Sequence, residues 1–554
     1  MSGLDAVGLS ILGLVVTFVS LVAWRRTRST TVDYFLAGRR TGVVTNAGAI
    51  CGDYLSAASF LGVAAAVYAS GLDGVWYATG FAAGFVPVLL FVAAPLRRLG
   101  TVSLADFLAV RFDSDRVRFA AVVAVELVIL SYLVPQAVGS GLTWDLLVGE
   151  GIAGLSPYAT GVVVSTLAVS GIVVIGGMRG TTWNQALQFG FLLAVVIWLA
   201  ALLWAGGFSY PGAVEEVSAD PLEVAVEDEL EQVPDRLQGG EARFGEPGGR
   251  YGPVGQLALL ITLVLGTAGL PHVMNRYFTA ATGRAARTTT VWVLGLAGSF
   301  YALAVMLGTA TRTLVAQHAD EPWLAALTVD GVLRVPEHAL LVLGRLLGGT
   351  PGLAVVAAAA FAAMVSTIGG LLIAAAASFG HDVVGRILRP YGGPREAVLA
   401  GRAAVVLVSA LAAVIALVVE PTRLLSTFPS VIATMVTWAF ALAGSALTPA
   451  VLIGIWWRRA TAAGAEAGIW VGGALAVGSL VVGLVTEASP ADGLGAVLLA
   501  PTLIAAPASA LTIVVVSLFD QSTGVRPHVW TRLHGTADDR QAERLAWMTL
   551  RGDR

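Results

Sequence analysis

Ser366 and Thr367 follow Ala363-Met364-Val365 inside a long apolar run. Two adjacent hydroxyls, beside a free carbonyl a few residues upstream, offer several neutral oxygens to one small ion, and sodium suits such a set. The competing reading is that each hydroxyl bonds back to its own helix. Two further apolar runs are interrupted. One reads Ala49-Ile50-Cys51-Gly52-Asp53-Tyr54-Leu55-Ser56-Ala57-Ala58-Ser59-Phe60 and places an ionisable Asp53 beside a glycine; the other reads Leu265-Gly266-Thr267-Ala268-Gly269-Leu270-Pro271. Glycine tolerates unwound backbone, and proline removes a donor and clashes with the preceding turn. Carbonyls freed in an apolar medium need a partner, and a hard cation is a good one. Catalytic chemistry finds less support. Cys51 is the only cysteine, and the six histidines form no HExxH pair. No disulfide, cysteine metal cluster or metalloenzyme site is expected, so the chain reads as no enzyme.

The elements that hold these residues must lie in lipid. The 554 residues are 56% hydrophobic and 12% charged, with a mean hydropathy of +0.80. A soluble domain carries about 25% charged residues. All 33 basic residues are arginine, and the abundance of alanine, glycine and valine suggests a high-GC bacterial genome. The net charge of −3 selects no partner; no nucleic acid is expected, and the oligomeric state is left open.

A helix needs about 20 apolar residues to span the bilayer. Thirteen spans are predicted, near 6–24, 42–71, 74–96, 118–147, 156–177, 182–206, 253–275, 288–312, 351–380, 397–419, 427–457, 463–486 and 493–519. The first is no cleaved signal, because no basic residue precedes it and Arg25, Arg26 and Arg28 follow it like a stop-transfer flank. Arginines concentrate on cytoplasmic segments. With the N-terminus outside and the C-terminus inside, 26 of the 33 arginines fall inside. This predicts a multi-pass protein of the bacterial inner membrane.

Spans two to six make five helices and spans seven to eleven make five more, entered with the opposite orientation. A broken helix opens each set, the signature of an inverted-repeat carrier with its site at the breaks. The expected organisation is an N-terminal helix and inner loop (1–41), a first repeat (42–206), an acidic outer loop (207–252), a second repeat (253–457), two further helices (458–519) and a cytoplasmic tail (520–554). The loop gathers Glu215, Glu216, Asp220, Glu223, Glu227, Asp228, Glu229 and Glu231. It reads as solvated, or alternatively as a cation-attracting field. A surface helix is expected near 335–347.

At these residues the chain resembles the sodium/solute symporter family over roughly 30–460. Several stretches are similar to its acetate (monocarboxylate) permease branch: Asp33-Tyr34-Phe35-Leu36-Ala37-Gly38-Arg39, Gly52-Asp53-Tyr54-Leu55-Ser56-Ala57-Ala58-Ser59-Phe60-Leu61-Gly62, Gly269-Leu270-Pro271-His272 and Ser378-Phe379-Gly380-His381-Asp382. The resemblance implies an all-α integral membrane fold of about 13 transmembrane helices with a 5+5 inverted-repeat, leucine-transporter-like core. It implies sodium as the co-transported ion, no organic cofactor, and a small carboxylate solute such as acetate. The sodium ligands it implies are Gly52, Leu55, Ala363, Ser366 and Thr367. Solute candidates between the breaks and spans four and eleven are Tyr54, Ser56, Ser59, Gln136, Thr267, Gly269 and Trp438. No arginine is expected near the breaks, so helix ends and polar groups would hold the anion. Asp53 and Glu126 are candidates for gating or proton transfer. Glu126 lies nearer the inner end, where an arginine partner is the alternative.

Other readings stay open: symport of proline or a sugar, proton-coupled carboxylate uptake, or a transporter-like membrane sensor. The sensor usually needs an appended signalling domain, and only 35 residues follow the last span.

Overall fold

The computed structural model describes residues 31–39, 41–228, 233–389, 391–419, 428, 430–522, 524–536 and 539. The expected first span and the end of the tail lie outside them. Among the described residues, nine helices are long and apolar enough to cross a membrane, and ten if one pair bent by 41° is a single broken span. Each expected span from the second to the thirteenth overlaps a helix or a broken pair.

The first repeat opens with α1 (Val43–Tyr54), a break at Leu55 and Ser56, and α2 (Val63–Ser70), entered through a wide π-helical turn at Ala58–Gly62. The chain reverses at Gly71 (φ 56°) into α3 (Val75–Ala83). Next come the short α4 (Leu104–Phe112), then α5 (Asp115–Val148) and α6 (Pro157–Ala205). Ser103 caps α4 and Ser114 caps α5, each by accepting from a first-turn N–H. The long α6 is kinked at Gly177 (φ 54°), between the two expected spans, in a conformation other residues rarely adopt.

The second repeat opens with α7 (Pro253–Gly269) and α8 (Pro271–Thr279), joined at Leu270 in an extended conformation. Pro271 lies where a helix tolerates it, at the start of the new segment. It continues through α9 (Gly283–Gln317), α10 (Ala339–Ala377), α11 (Pro394–Val418) and α12 (Val431–Leu442). After it come α13 (Ala462–Val485), α14 (Thr502–Phe519) and the short α15 (Pro527–His534). The α1 helix is packed against α6, α9 and α10. The segments around both breaks lie inside the bundle: residues 50–67 and 266–279 are buried throughout.

Two expectations change, and the outer loop gains internal structure. The helix near 335–347 is not on the surface: Ala339, Leu340, Leu341, Val342 and Leu343 are all buried. A helix apolar on every side must be covered on every side. Buried Glu337 just before it accepts from the Ile432 N–H at 3.2 Å, which pins it over the start of α12. The last span begins at Thr502, because Pro501 separates it from a short helix at Gly493–Leu499. The loop 207–252 is folded, with an antiparallel hairpin of β1 (Pro221–Asp228) and β2 (Val233–Arg243). Its end is anchored by the Asp73 carboxylate, which accepts from the N–H groups of Gly248 (2.7 Å), Arg250 (2.7 Å) and Tyr251 (3.0 Å). The acidic side chains from Glu223 to Glu231 lie outside the described set.

Candidate functional site

The first break decides which backbone oxygens are free. In a continuous helix the Ser56 N–H would bond to the Gly52 carbonyl. Here it bonds to the Tyr54 carbonyl at 2.9 Å, and Leu55 N–H bonds to Cys51 at 2.7 Å. The Gly52 carbonyl thus loses its helical donor. The Asp53 carbonyl accepts from Thr367 Oγ1 on α10 at 3.0 Å. Ser366 Oγ is buried and has no partner among the described residues. Neither hydroxyl bonds back to its own helix, the competing reading of the sequence.

Gly52 is held tightly here. A Cβ on it would lie 2.4 Å from the Gln185 carbonyl and 2.9 Å from Ser366 Oγ. Any side chain would push α1 away from α6 and α10. Leu55 sits at the break itself, at φ −79° and ψ 73°. Ala363 differs from the expectation of a freed carbonyl. It lies in a regular stretch of α10, so its oxygen keeps a helical partner and offers only its second lone pair.

An arginine does reach the breaks, contrary to expectation. Arg276 belongs to α8, not to an inner loop, and is fully buried. Its Nε donates to Asp53 Oδ2 at 3.2 Å, its Nη1 donates to Thr182 Oγ1 at 2.8 Å, and its Nη2 donates to Gln185 Oε1. Gln185 in turn donates from Nε2 to the Ser366 carbonyl at 2.7 Å. Asp53 thereby becomes half of a buried ion pair that ties α1 to α8. Gly370 makes room for it: a Cβ there would fall 1.8 Å from Asp53 Oδ1. An acid in mid-span signals a partner of opposite charge. Arg276, one residue beyond the predicted end of span seven, was the nearest available.

Most solute candidates gather around the same break. Ser56 Oγ accepts from Ala58 N–H at 3.2 Å, and Gln136 Oε1 on α5 accepts from Ala57 N–H at 3.0 Å. The N-terminal end of the second half-helix is therefore already capped by protein. Tyr54 OH lies 2.8 Å from Thr267 Oγ1 and 2.9 Å from the Phe81 carbonyl, joining the two broken pairs directly. Ser59 Oγ is 2.7 Å from Tyr301 OH, and Tyr132 OH donates to Ser56 Oγ at 3.3 Å. Aromatic rings close around Tyr54: Phe85 at 4.6 Å, Phe440 at 6.0 Å and Phe81 at 6.1 Å between centroids.

Two candidates stand apart. A Cβ on Gly269 would meet the Ala443 carbonyl at 2.4 Å, so this glycine serves close helix packing. Trp438 lies edge-on to Phe428 and lines a cavity of about 40 Å³ with Tyr77, Tyr251 and Thr434. Sequence reasoning assigned no site role to Arg276, Gln185, Tyr132 or Tyr301: the last three lie in regular helical stretches that gave no signal, and Arg276 lies just past the predicted end of span seven.

Glu126 has no arginine partner among the described residues; its polar neighbours are Ser378 and Asp382. The arginine at that end is engaged elsewhere: Arg118 Nη1 donates to Asp106 at 2.9 Å and to Asp382 at 2.7 Å, and Ser103 Oγ also donates to Asp382. This network joins α4 and α5 to the π-helical segment Ser378–Leu388 that continues α10. Burial alone would raise the Asp106 carboxyl, but His381 and Arg118 beside it hold it below the usual carboxylate range.

The model of the sodium:solute symporter family matches residues 34–472. The uncharacterized symporter YwcA of Bacillus subtilis (strain 168) is 33% identical over 461 residues, covering 82% of each chain. A Na+-coupled sialic acid symporter, solved in a substrate-bound outward-open state, superposes with a TM-score of 0.69 at 16% identity, over 94% of this chain and 99% of that one. The manganese transporter of Eremococcus coleocola gives 0.50 at 13% identity, over 85% and 94%. These two show the shared leucine-transporter-like fold. With most of its length matched by the family model, and with a relative at this identity, the chain belongs to the sodium:solute symporter family and is a multi-pass membrane symporter.

Proposed function

We propose that this protein couples inward movement of sodium to uptake of a small monocarboxylate such as acetate, by alternating access across a bacterial inner membrane. One observation carries the ion reading: the first break strips the Gly52 carbonyl of its donor beside the unpartnered Ser366 Oγ. With Thr367, Leu55 and the second lone pair of Ala363, these neutral oxygens would hold sodium as a transported substrate. Bound sodium would replace the missing donors and fix α1 against α10. Solute and ion would then favour each other's binding, and that coupling is reciprocal.

The carboxylate reading is supported by the stretches Gly52–Gly62 and Gly269–His272, which resemble the acetate permease branch. The close aromatic enclosure of Tyr54 supports a compact cargo. An anion moving with one sodium carries no net charge. A membrane potential of about 100 mV, worth roughly 2.3 kcal/mol per charge, then contributes nothing. Voltage-sensitive uptake would require more than one cation per anion.

Counterflow of labelled acetate in proteoliposomes, with and without sodium, tests both halves. Sodium-dependent exchange is expected. An absence of exchange removes the monocarboxylate. Exchange indifferent to sodium but driven by a pH gradient removes the ion and makes Glu126, which has no arginine partner among the described residues, the first candidate for a proton carrier.

A further inference from the structure

His272 is the second residue of α8, directly after the break at Leu270 and Pro271. It is 1% exposed, and neither ring nitrogen has a hydrogen-bond partner among the described residues. A histidine kept only for packing would normally be satisfied, and an apolar side chain would fill the same space without an unpaired donor. Its ring stands edge-on to Tyr132, with centroids 5.2 Å apart. Tyr132 OH in turn donates to Ser56 at the first break, at 3.3 Å. One turn along α5, Gln136 spends its Oε1 on the Ala57 N–H, while its Nε2 is buried without a partner. Two unpaired buried polar groups, from α5 and α8, are thus placed at the junction of the two breaks.

The surroundings select the sign of the ligand. The first-turn N–H groups of α8 have no intrahelical partner, and they put positive potential at the break. Arg276 lies four residues on, on the same face of α8 as His272. A cation would meet this potential with a single imidazole, since the nearby Asp53 carboxylate is already paired with Arg276. An anion would meet donors. The other half-helix end cannot serve, because Ser56 Oγ and Gln136 Oε1 already cap it.

We infer that His272 is the side chain that recognises the solute's carboxylate, donating a ring N–H to one oxygen while the Gln136 amide donates to the other. This rests on the monocarboxylate reading and adds to it the residue that distinguishes an anionic solute from a neutral one. It also places solute and ion at opposite ends of one turn of α8, with His272 facing the solute. Arg276 is bonded to Asp53 and Gln185 beside the proposed ion ligands.

The test uses the full-length protein in proteoliposomes and compares wild type, His272→Leu and His272→Gln. Two quantities are read: the KM for acetate in counterflow, and the thermal stabilisation given by sodium without solute. His272→Leu should raise the acetate KM by about 10-fold or more, as expected for losing one hydrogen bond to a charged group. His272→Gln, which keeps an N–H donor, should recover most of that loss. Stabilisation by sodium alone should be unchanged in both. An acetate KM for His272→Leu equal to that of wild type overturns the assignment. So does loss of the sodium response in both variants, which would mark a structural role. Failure of wild type to exchange acetate, propionate or pyruvate overturns the monocarboxylate reading itself, and that result appears before any variant is compared.

Discussion

At the first break the chain turns at Leu55 and Ser56, and protein groups satisfy its N–H side while carbonyls are left over. At the second break the chain turns at Leu270, Pro271 starts a new helix, and the N–H side is the one left over. The first junction is rich in acceptors, with the Gly52 carbonyl and Ser366 Oγ. The second is rich in donors, with the start of α8 and the His272 ring. Two breaks at equivalent places in the two repeats thus suit opposite charges. The difference comes from their caps: Ser56 and Gln136 serve one half-helix start, while a proline at the other removes a donor but supplies no acceptor. Arg276 and Asp53 bridge the two junctions as a buried pair that ties α1 to α8.

Cutting that bridge should have the largest effect. Arg276→Met leaves the Asp53 carboxylate buried without its ion partner, and losing one member of a buried pair costs about 3–5 kcal/mol. Thermal unfolding in detergent should show the loss, and adding Asp53→Asn to the same chain should recover much of it. A variant as stable as wild type would mean that the pair does not brace the breaks.

Next in size is the acceptor side alone. Ser366→Ala with Thr367→Ala removes two oxygens from the first junction and should raise the sodium requirement on the order of 100-fold, at about 10-fold for each lost contact to a charged ligand. Titration of transport against sodium reads this directly. Unchanged sodium dependence would dissolve the contrast between the junctions.

The smallest change tests the direct link. Tyr54→Phe removes the hydroxyl that lies 2.8 Å from Thr267 Oγ1 and should cost about 0.5–1.5 kcal/mol, about 2- to 12-fold in solute affinity. An effect as large as that of the paired alanines would mean that Tyr54 contacts solute or ion itself rather than joining the two breaks.

Much of this was legible from residue order. Apolar runs fix helices in lipid because no other local structure satisfies the backbone there. Gly52, Gly269 and Pro271 marked the breaks because they are the residues that tolerate or impose them. The Ser366–Thr367 pair was visible as a donor of neutral oxygens. These are local properties, carried by a few neighbouring residues each.

What remained hidden depends on distance in space. Arg276 read as an inner-loop residue because its partner lies 223 positions away. Gln185 gave no sign that it would bond to both Arg276 and the Ser366 carbonyl. Gln136 was a candidate for the solute, but only the fold assigns its oxygen to a cap and leaves its nitrogen free. Hydrophobic pattern and backbone chemistry set where the helices run and where they break. Which buried donor meets which acceptor is decided only when the helices are packed, because a hydrogen bond or ion pair in lipid is specified to within an ångström and sequence spacing across 200 residues is not.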